Sequence, residues 1–172
     1  MNIRLTAALL ATASIGLAAC SKKAPEELPP PPAATTSTVP TTSATAPSGP
    51  TVGSQAHFEN AVNGQNVIFF DTDRYNIDSA DAAALQTQAQ YLARYPQVNI
   101  TIEGHCDERG TREYNLALGE RRANAAKNYL VGLGVDASRI RTVSYGKERP
   151  VALGSNEGSW AQNRRAVSVV IS

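Results

Sequence analysis

From Ser21 to Ser54 the sequence reads SKKAPEELPPPPAATTSTVPTTSATAPSGPTVGS, with prolines throughout, no aromatic residue and few large aliphatic ones. Such a stretch cannot bury enough apolar surface to offset its ordering entropy, so the reading is a disordered tether. Pro29 to Pro32 is read as locally extended polyproline II. As a flexible coil the tether has a mean reach of about 30–35 Å, against roughly 105 Å if fully extended. A folded core therefore has to come from Gln55 to Ser172, which is long enough for one domain. The chain carries 16 Lys and Arg against 15 Asp and Glu, a formal charge of +1. That balance excludes a basic nucleic-acid binder, which needs many unpaired cations facing phosphates. Two cysteines, Cys20 and Cys106, exclude a disulfide framework and a four-cysteine zinc site.

Met1 to Ala19 has one early cation, Arg4, then an apolar run from Leu5 that continues through Ile15 to Ala19. The run is too short and too rich in Ala, Ser and Thr for a membrane span, which needs roughly 20 strongly apolar residues. A basic start, an apolar middle and small residues before a cut fit a secretory signal peptide. Its end, Leu17-Ala18-Ala19-Cys20, resembles the bacterial lipobox, in which the cysteine is lipidated and becomes the first mature residue. Ser21, where sorting signals of the enterobacterial kind would place Asp for retention, implies passage to the outer membrane. Loss of Arg4 with the leader balances cations and anions, so the lipid and not a charged patch is expected to anchor the chain.

Within Gln55 to Ser172, Val67 to Phe70 reads as a short strand. Asp78 or Ser79 caps a helix whose Ala82, Leu85, Ala89 and Leu92 recur at helical spacing, and Pro96 ends it. Val98 to Gly104 alternates and predicts a strand with Val98, Ile100 and Ile102 inward. A helix follows from about Arg112 to Leu133, its inward stripe read as Leu116, Gly119, Ala123, Ala126, Leu130 and Leu133. Ile140 to Tyr145 and Ala166 to Ile171 are read as further strands, with a helical turn over Ser159 to Asn163. Strands alternating with helices predict an α/β two-layer sandwich, a small mixed sheet with helices on one face.

The densest polar run is Gly104-His105-Cys106-Asp107-Glu108-Arg109-Gly110-Thr111-Arg112-Glu113-Tyr114-Asn115, continued by Leu118 and Arg122. It passes from a strand end through a loop into a helix start, where open α/β sheets bind ligands. Asp71 ends the first strand and belongs to the same edge, while Asn115, Leu118 and Arg122 share one face of the helix. A carboxylate at Asp107 and a guanidinium at Arg122 suit a zwitterion, the one accepting from an ammonium and the other clamping a carboxylate. The side-chain end of diaminopimelate in bacterial cell-wall peptide is such a group. By residue type alone, an Asp107–Arg122 salt bridge or two charges on a solvated face accounts for the pair better.

Phe70-Asp71-Thr72-Asp73-Arg74-Tyr75-Asn76-Ile77 resembles the FDxDKYxI segment of the OmpA-like peptidoglycan-binding domain family. Gly104 to Ala123 is similar to the long central motif of that family, and Tyr145 to Pro150 and Asn163 to Val167 match its carboxyl-terminal segments. The similarity spans nearly all of Gln55 to Ser172, in the form carried by the lipoproteins of the Tol–Pal system. It departs mildly at Thr72, Asn76 and the terminal Ser-Val-Val-Ile-Ser. What the resemblance implies is non-covalent binding of uncrosslinked meso-diaminopimelate stems, without a cofactor. Asp107 and Arg122 would hold the amino acid end, and Phe70, Asp71, Asn115 and Leu118 would line the same pocket. It also implies docking of the β-propeller protein TolB to an overlapping face, alongside other Tol proteins. The expected role is linkage of the outer membrane to the wall, in envelope integrity and in constriction at division. Alanine at Asp107 or Arg122 is expected to abolish wall retention and leave the fold intact.

Sharper chemistries were weighed against this reading. Asp71 and Asp107 as the paired carboxylates of a wall hydrolase lack an evident group to activate water. His105 and Cys106 as a thiol hydrolase, or as part of a zinc site, fail because adjacent strand residues point to opposite faces. Cys106 continues the inward series Ile100, Ile102, Gly104 and reads as a small buried filler. Trp160 reads as a core residue, with a protein-docking surface formed with Arg164 and Arg165 as the alternative.

Overall fold

The computed structural model describes residues 49 to 171. The leader, Cys20 and most of the Pro-rich stretch lie outside the described residues. The order of elements is α1 (Gln55–Ala61), β1 (Val67–Phe69), α2 (Ser79–Arg94), β2 (Asn99–His105), α3 (Arg112–Gly132), a 3-10 turn (Ala137–Arg139), β3 (Ile140–Gly146), α4 (Glu157–Asn163) and β4 (Arg165–Ile171).

Each helix begins at a side-chain cap that satisfies a free N–H of the first turn. Ser54, Asp78, Thr111 and Asn156 accept from the backbone N–H of His57, Asp81, Tyr114 and Ser159 respectively. The four strands form one mixed sheet in the order β1-β4-β2-β3. β2 and β3 run parallel, with α3 as their crossover, and β4 is antiparallel to both β1 and β2. The two-layer architecture read from the sequence is the one observed.

Alternation along the strands sets the inner face. Ile100 and Ile102 are wholly buried, as are Leu85 and Leu92 of α2 and Ala123 and Leu130 of α3. α1, which the sequence reading did not pick out, adds Phe58 and Val62 to the same core. Gln88 of α2 is buried too, donating to the Gln65 carbonyl at 2.6 Å and accepting from Ser168 Oγ at 2.7 Å. A polar side chain fully satisfied in this way ties α2 to β4 without a desolvation penalty left over.

The stripe of α3 differs from the expected one. Leu116 is half-buried and Leu133 is exposed, whereas Asn115, Leu118 and Arg122 join the expected Gly119, Ala123, Ala126 and Leu130 inside. The helix is rotated because its backbone lies directly on β2. A Cβ at Gly104 would collide with the Gly119 carbonyl, and one at Gly119 with Ser144 Oγ. This close approach pulls the first half of α3 down over the carboxyl end of β2, so the Asn115, Leu118 and Arg122 face, expected beside the core stripe, is itself buried and walls a cavity.

Candidate functional site

β2 ends in an irregularity between Gly104 and His105, where its register against β3 shifts. The extra residue is Tyr145 on β3, and both His105 and Cys106 are buried. The Asp107–Gly110 loop that follows is held from several sides. Asp107 Oδ1 accepts from the Arg109 N–H at 3.1 Å, and Gly110 takes a φ of 83°, which glycine adopts without strain. Asn115 Nδ2 donates to the carbonyls of Arg109 and Thr111 at 2.7 and 2.9 Å. Lys147 Nζ donates to those of Glu108 and Gly110 at 3.0 and 2.6 Å.

Between this loop, α3 and the 71–74 turn lies a cavity of about 270 Å³. Asp107, Asn115, Leu118 and Arg122 line it, as do Thr72, Asp73, Cys106, Arg109 and Tyr114. Four of the six binding residues expected from the sequence are thus brought together. The other two stand behind the wall. Phe70 is buried beneath the Arg122 guanidinium, 5.2 Å from its ring centre. Asp71 is exposed and contributes its backbone carbonyl, which accepts from Arg122 Nη2 at 3.1 Å.

Arg122 is wholly buried. Besides the bond to Asp71, its Nε donates to the Arg74 carbonyl at 2.9 Å and its Nη1 to the His105 carbonyl at 2.8 Å. Three of the five guanidinium N–H groups are therefore committed to backbone, leaving one on each Nη for another acceptor. This corrects the expectation that Arg122→Ala leaves the fold intact, because the side chain also ties the 71–74 turn to the end of β2. Burial depresses the Arg122 pKa, against the pull of Cys106 and Asp107.

Asp107 is not paired with Arg122, so the salt-bridge reading is overturned. Its partners are Arg109, with Nη2 at 2.7 Å from Oδ2 and Nε at 3.1 Å from Oδ1, and Arg164, with Nη1 at 3.5 Å. Burial pushes the Asp107 pKa up, but the hydrogen bonds from Arg109 and the charges of both arginines together outweigh it and leave the pKa lowered. Cys106 donates its thiol to the Asn115 carbonyl at 3.3 Å, and burial pushes its pKa up to about 11. A thiol held protonated makes a poor nucleophile. Among the described residues no three His, Cys, Asp or Glu side chains gather as a metal site requires.

The sequence reading missed Asp73 and the roles of Arg109 and Arg164. Asp73 sits in the left-handed region at φ 56°, a conformation Asp tolerates better than most residues, and Tyr114 Oη donates to it at 3.0 Å. Arg164 and Arg165 are buried and form no docking surface. Arg164 Nε donates to the Phe70 carbonyl at 2.9 Å and its Nη2 to Glu157 at 2.7 Å. Trp160 is half-buried at the rim and outside the core, its ring 4.3 Å beneath the Arg109 guanidinium.

A mixed α/β sandwich with a charged cavity at the carboxyl end of its parallel strands defines a ligand-binding class. Residues 69 to 164 match the model of the OmpA family, and the chain belongs to that family. It is 58% identical over 120 residues to a peptidoglycan-associated lipoprotein of Rhizobium meliloti, covering 70% of this chain and 67% of that one. Against the protein of that name from Agrobacterium fabrum the identity is 57% over 120 residues, with the same coverage of 70% and 67%. The crystal structure of the peptidoglycan-associated lipoprotein from Burkholderia pseudomallei superposes with a TM-score of 0.63 at 50% identity, covering 66% of this chain and 96% of that one. Fold and relatives make the chain a binding protein and not an enzyme.

Proposed function

We propose that the chain is a cell-envelope lipoprotein that links membrane to wall by holding peptidoglycan non-covalently in the Asp107–Arg122 cavity. The observation that carries this is the cavity itself. It presents a carboxylate and a guanidinium that share one hollow without pairing, Asp107 being held by Arg109 instead. Its ligand is the amino acid end of an uncrosslinked meso-diaminopimelate stem. The ammonium goes to Asp107 and the carboxylate to the two free Nη hydrogens of Arg122, which can donate to it as a fork. Asn115 holds the loop that carries Asp107, Leu118 supplies an apolar wall, and Phe70 and Asp71 support Arg122 from behind.

The lipid on Cys20 anchors the chain in the outer membrane, the domain faces the periplasm, and TolB and its Tol partners are the protein partners, with a role in constriction at division. Support for the anchor comes from the lipobox-like end of the leader and the lipoprotein names of the relatives, and for the Tol partners from the resemblance of Gly104 to Ala123 to the family's central motif. A hydrolase built on Asp71 and Asp107 has no support in the geometry, since only the second of these lines the cavity.

Calorimetric titration with L-Ala-γ-D-Glu-meso-diaminopimelate, beside the tripeptide ending in lysine, tests the site. The lysine peptide lacks the carboxylate that Arg122 takes, so it binds at least about tenfold more weakly, one lost charge-assisted pair. Equal affinity for the two removes Arg122 from the ligand's contacts, and no heat from either removes the cavity. Palmitate labelling tests the anchor, and a Cys20→Ser chain that takes up label like wild type excludes it.

A further inference from the structure

The Asp107 carboxylate is already engaged where a ligand's ammonium would sit. Arg109 alone donates to it three times, from its backbone N–H, its Nε and its Nη2, at 3.1, 3.1 and 2.7 Å. A carboxylate offers about four lone-pair positions; Arg109 takes three and Arg164 Nη1 stands 3.5 Å from Oδ2 beside the fourth, so a cation arriving from the cavity competes with these donors.

The side-chain donors are the ones able to leave. The Arg109 side chain is 39% exposed, against 9% for that of Asp107. Its other contacts are a long hydrogen bond from Nη2 to Thr72 Oγ1 at 3.3 Å and the stacking on Trp160. The backbone of the loop is pinned by Asn115 and Lys147, so the swing belongs to the side chain. A replacement donor is in place behind the carboxylate. Arg164 Nη1 is buried, lies 3.5 Å from Oδ2 and makes no hydrogen bond. When Arg109 withdraws, Oδ2 can close on Arg164 while Oδ1 receives the incoming ammonium, and one cation has replaced another without leaving the buried charge unpaired.

We propose that Arg109 is a displaceable cap on Asp107, an internal stand-in for the ligand's ammonium that sets a threshold for entry to the site. Resting on the reading of the cavity given under Proposed function, it adds a specificity-determining residue. An amine alone exchanges one cation for another and gains little. A group that brings ammonium and carboxylate together also engages Arg122, and it is the one that displaces the cap.

The test is calorimetric titration of the full chain in detergent with the meso-diaminopimelate tripeptide, for wild type and for Arg109→Ala, Arg109→Lys and Arg112→Ala. Arg112 is 63% exposed, pairs with Glu148 at 3.4 Å and does not line the cavity, so its loss controls for the change in net charge. Thermal melts confirm that each variant is folded. Removing a competing, partly exposed ion pair tightens binding by about two- to fivefold in Arg109→Ala. Arg109→Lys, which keeps one contact, falls between that variant and wild type, and Arg112→Ala stays within about twofold of wild type. The chain has a single Trp, Trp160, so its emission reports on the cap directly. Tripeptide shifts that emission in wild type and leaves it unmoved in Arg109→Ala. Equal or weaker binding by Arg109→Ala overturns the cap and makes Arg109 a neutral neighbour or a ligand contact. An equal gain in Arg112→Ala assigns the effect to bulk charge and overturns it also. If wild type itself gives no heat, the cavity reading falls and the cap with it, a result distinct from either.

Discussion

Arg122 Nη1 donates to the carbonyl of His105 at 2.8 Å, joining the middle of α3 to the last residue of β2. Through its other bonds the same guanidinium holds the turn after β1, so one side chain fixes three segments around the cavity and lines that cavity as well.

Arg122→Ala strands the buried His105 carbonyl, frees the partly buried carbonyls of Asp71 and Arg74 and opens a hollow above Phe70. An unsatisfied buried acceptor costs about 1–3 kcal/mol and the two more exposed ones less, so the loss is about 2–4 kcal/mol. Urea unfolding should show the midpoint falling sharply with little change in slope. A midpoint like that of wild type contradicts the role given to Arg122.

Asp107→Asn keeps the shape and most of the hydrogen bonding of the loop but removes the charge. Stability falls by about 1–2 kcal/mol, and retention on purified sacculi is lost. Co-sedimentation beside a melting curve separates the two effects. A folded variant that still sediments with sacculi would remove Asp107 from the site.

Gly119→Ala places a methyl group against Ser144 Oγ and the Gly104 backbone. Helix propensity favours alanine by about 1 kcal/mol, but a rigid overlap of this kind costs about 3 kcal/mol or more, so the variant is less stable. Binding weakens with it, because α3 has to lift from β2 and carry Leu118 and Arg122 away from Asp107. A higher melting temperature in this variant would mean that helix and strand are less closely apposed.

His105 packs against the Tyr145 ring, with neither ring nitrogen in a hydrogen bond and Nε2 3.5 Å from the Glu103 carboxylate, whose pull towards the protonated form burial outweighs. Burial, with Arg165 and Arg149 nearby, pushes its pKa down to about 4 from an ordinary 6.5. The folded state therefore keeps it neutral while the unfolded chain takes up a proton, and stability declines as pH falls from about 6.5 to about 4. A shift of that size corresponds to about 3 kcal/mol. In His105→Phe that part of the decline disappears. Asp107, whose pKa is lowered, contributes its own loss only below about 3.8, so the windows are distinct. Unfolding free energies at pH 7, 5.5 and 4.5 for both chains provide the check, and parallel curves refute it.

Much of the fold was legible because local patterns carry it. The α2 stripe held at Leu85, Ala89 and Leu92, the alternation of Ile100 and Ile102 placed β2, and the cap at Asp78 fixed where α2 begins. The α3 stripe was misread because Arg122 and Asn115 look like solvent residues by type. Their burial depends on partners that no helical periodicity reveals: the carbonyls of Asp71 and Arg74 for one, those of Arg109 and Thr111 for the other.

The amino-acid sequence by itself determined the four strands and the helices after α1, the polar run from Gly104 to Arg122, and the resemblance that joined an acid and a base to one ligand. All of these rest on neighbours within about a turn or a loop of each other, where spacing alone dictates which side chains share a face. Only the tertiary structure decided what the charges do. Arg164 reaches the Phe70 carbonyl from 94 residues away and stands behind Asp107, and Arg122 reaches Asp71 across 51. Such contacts follow from how the sheet order and the Gly104–Gly119 approach bring distant backbone together. The partner of a buried charge is set by which groups surround it in space, and the order of residues along the chain leaves that open.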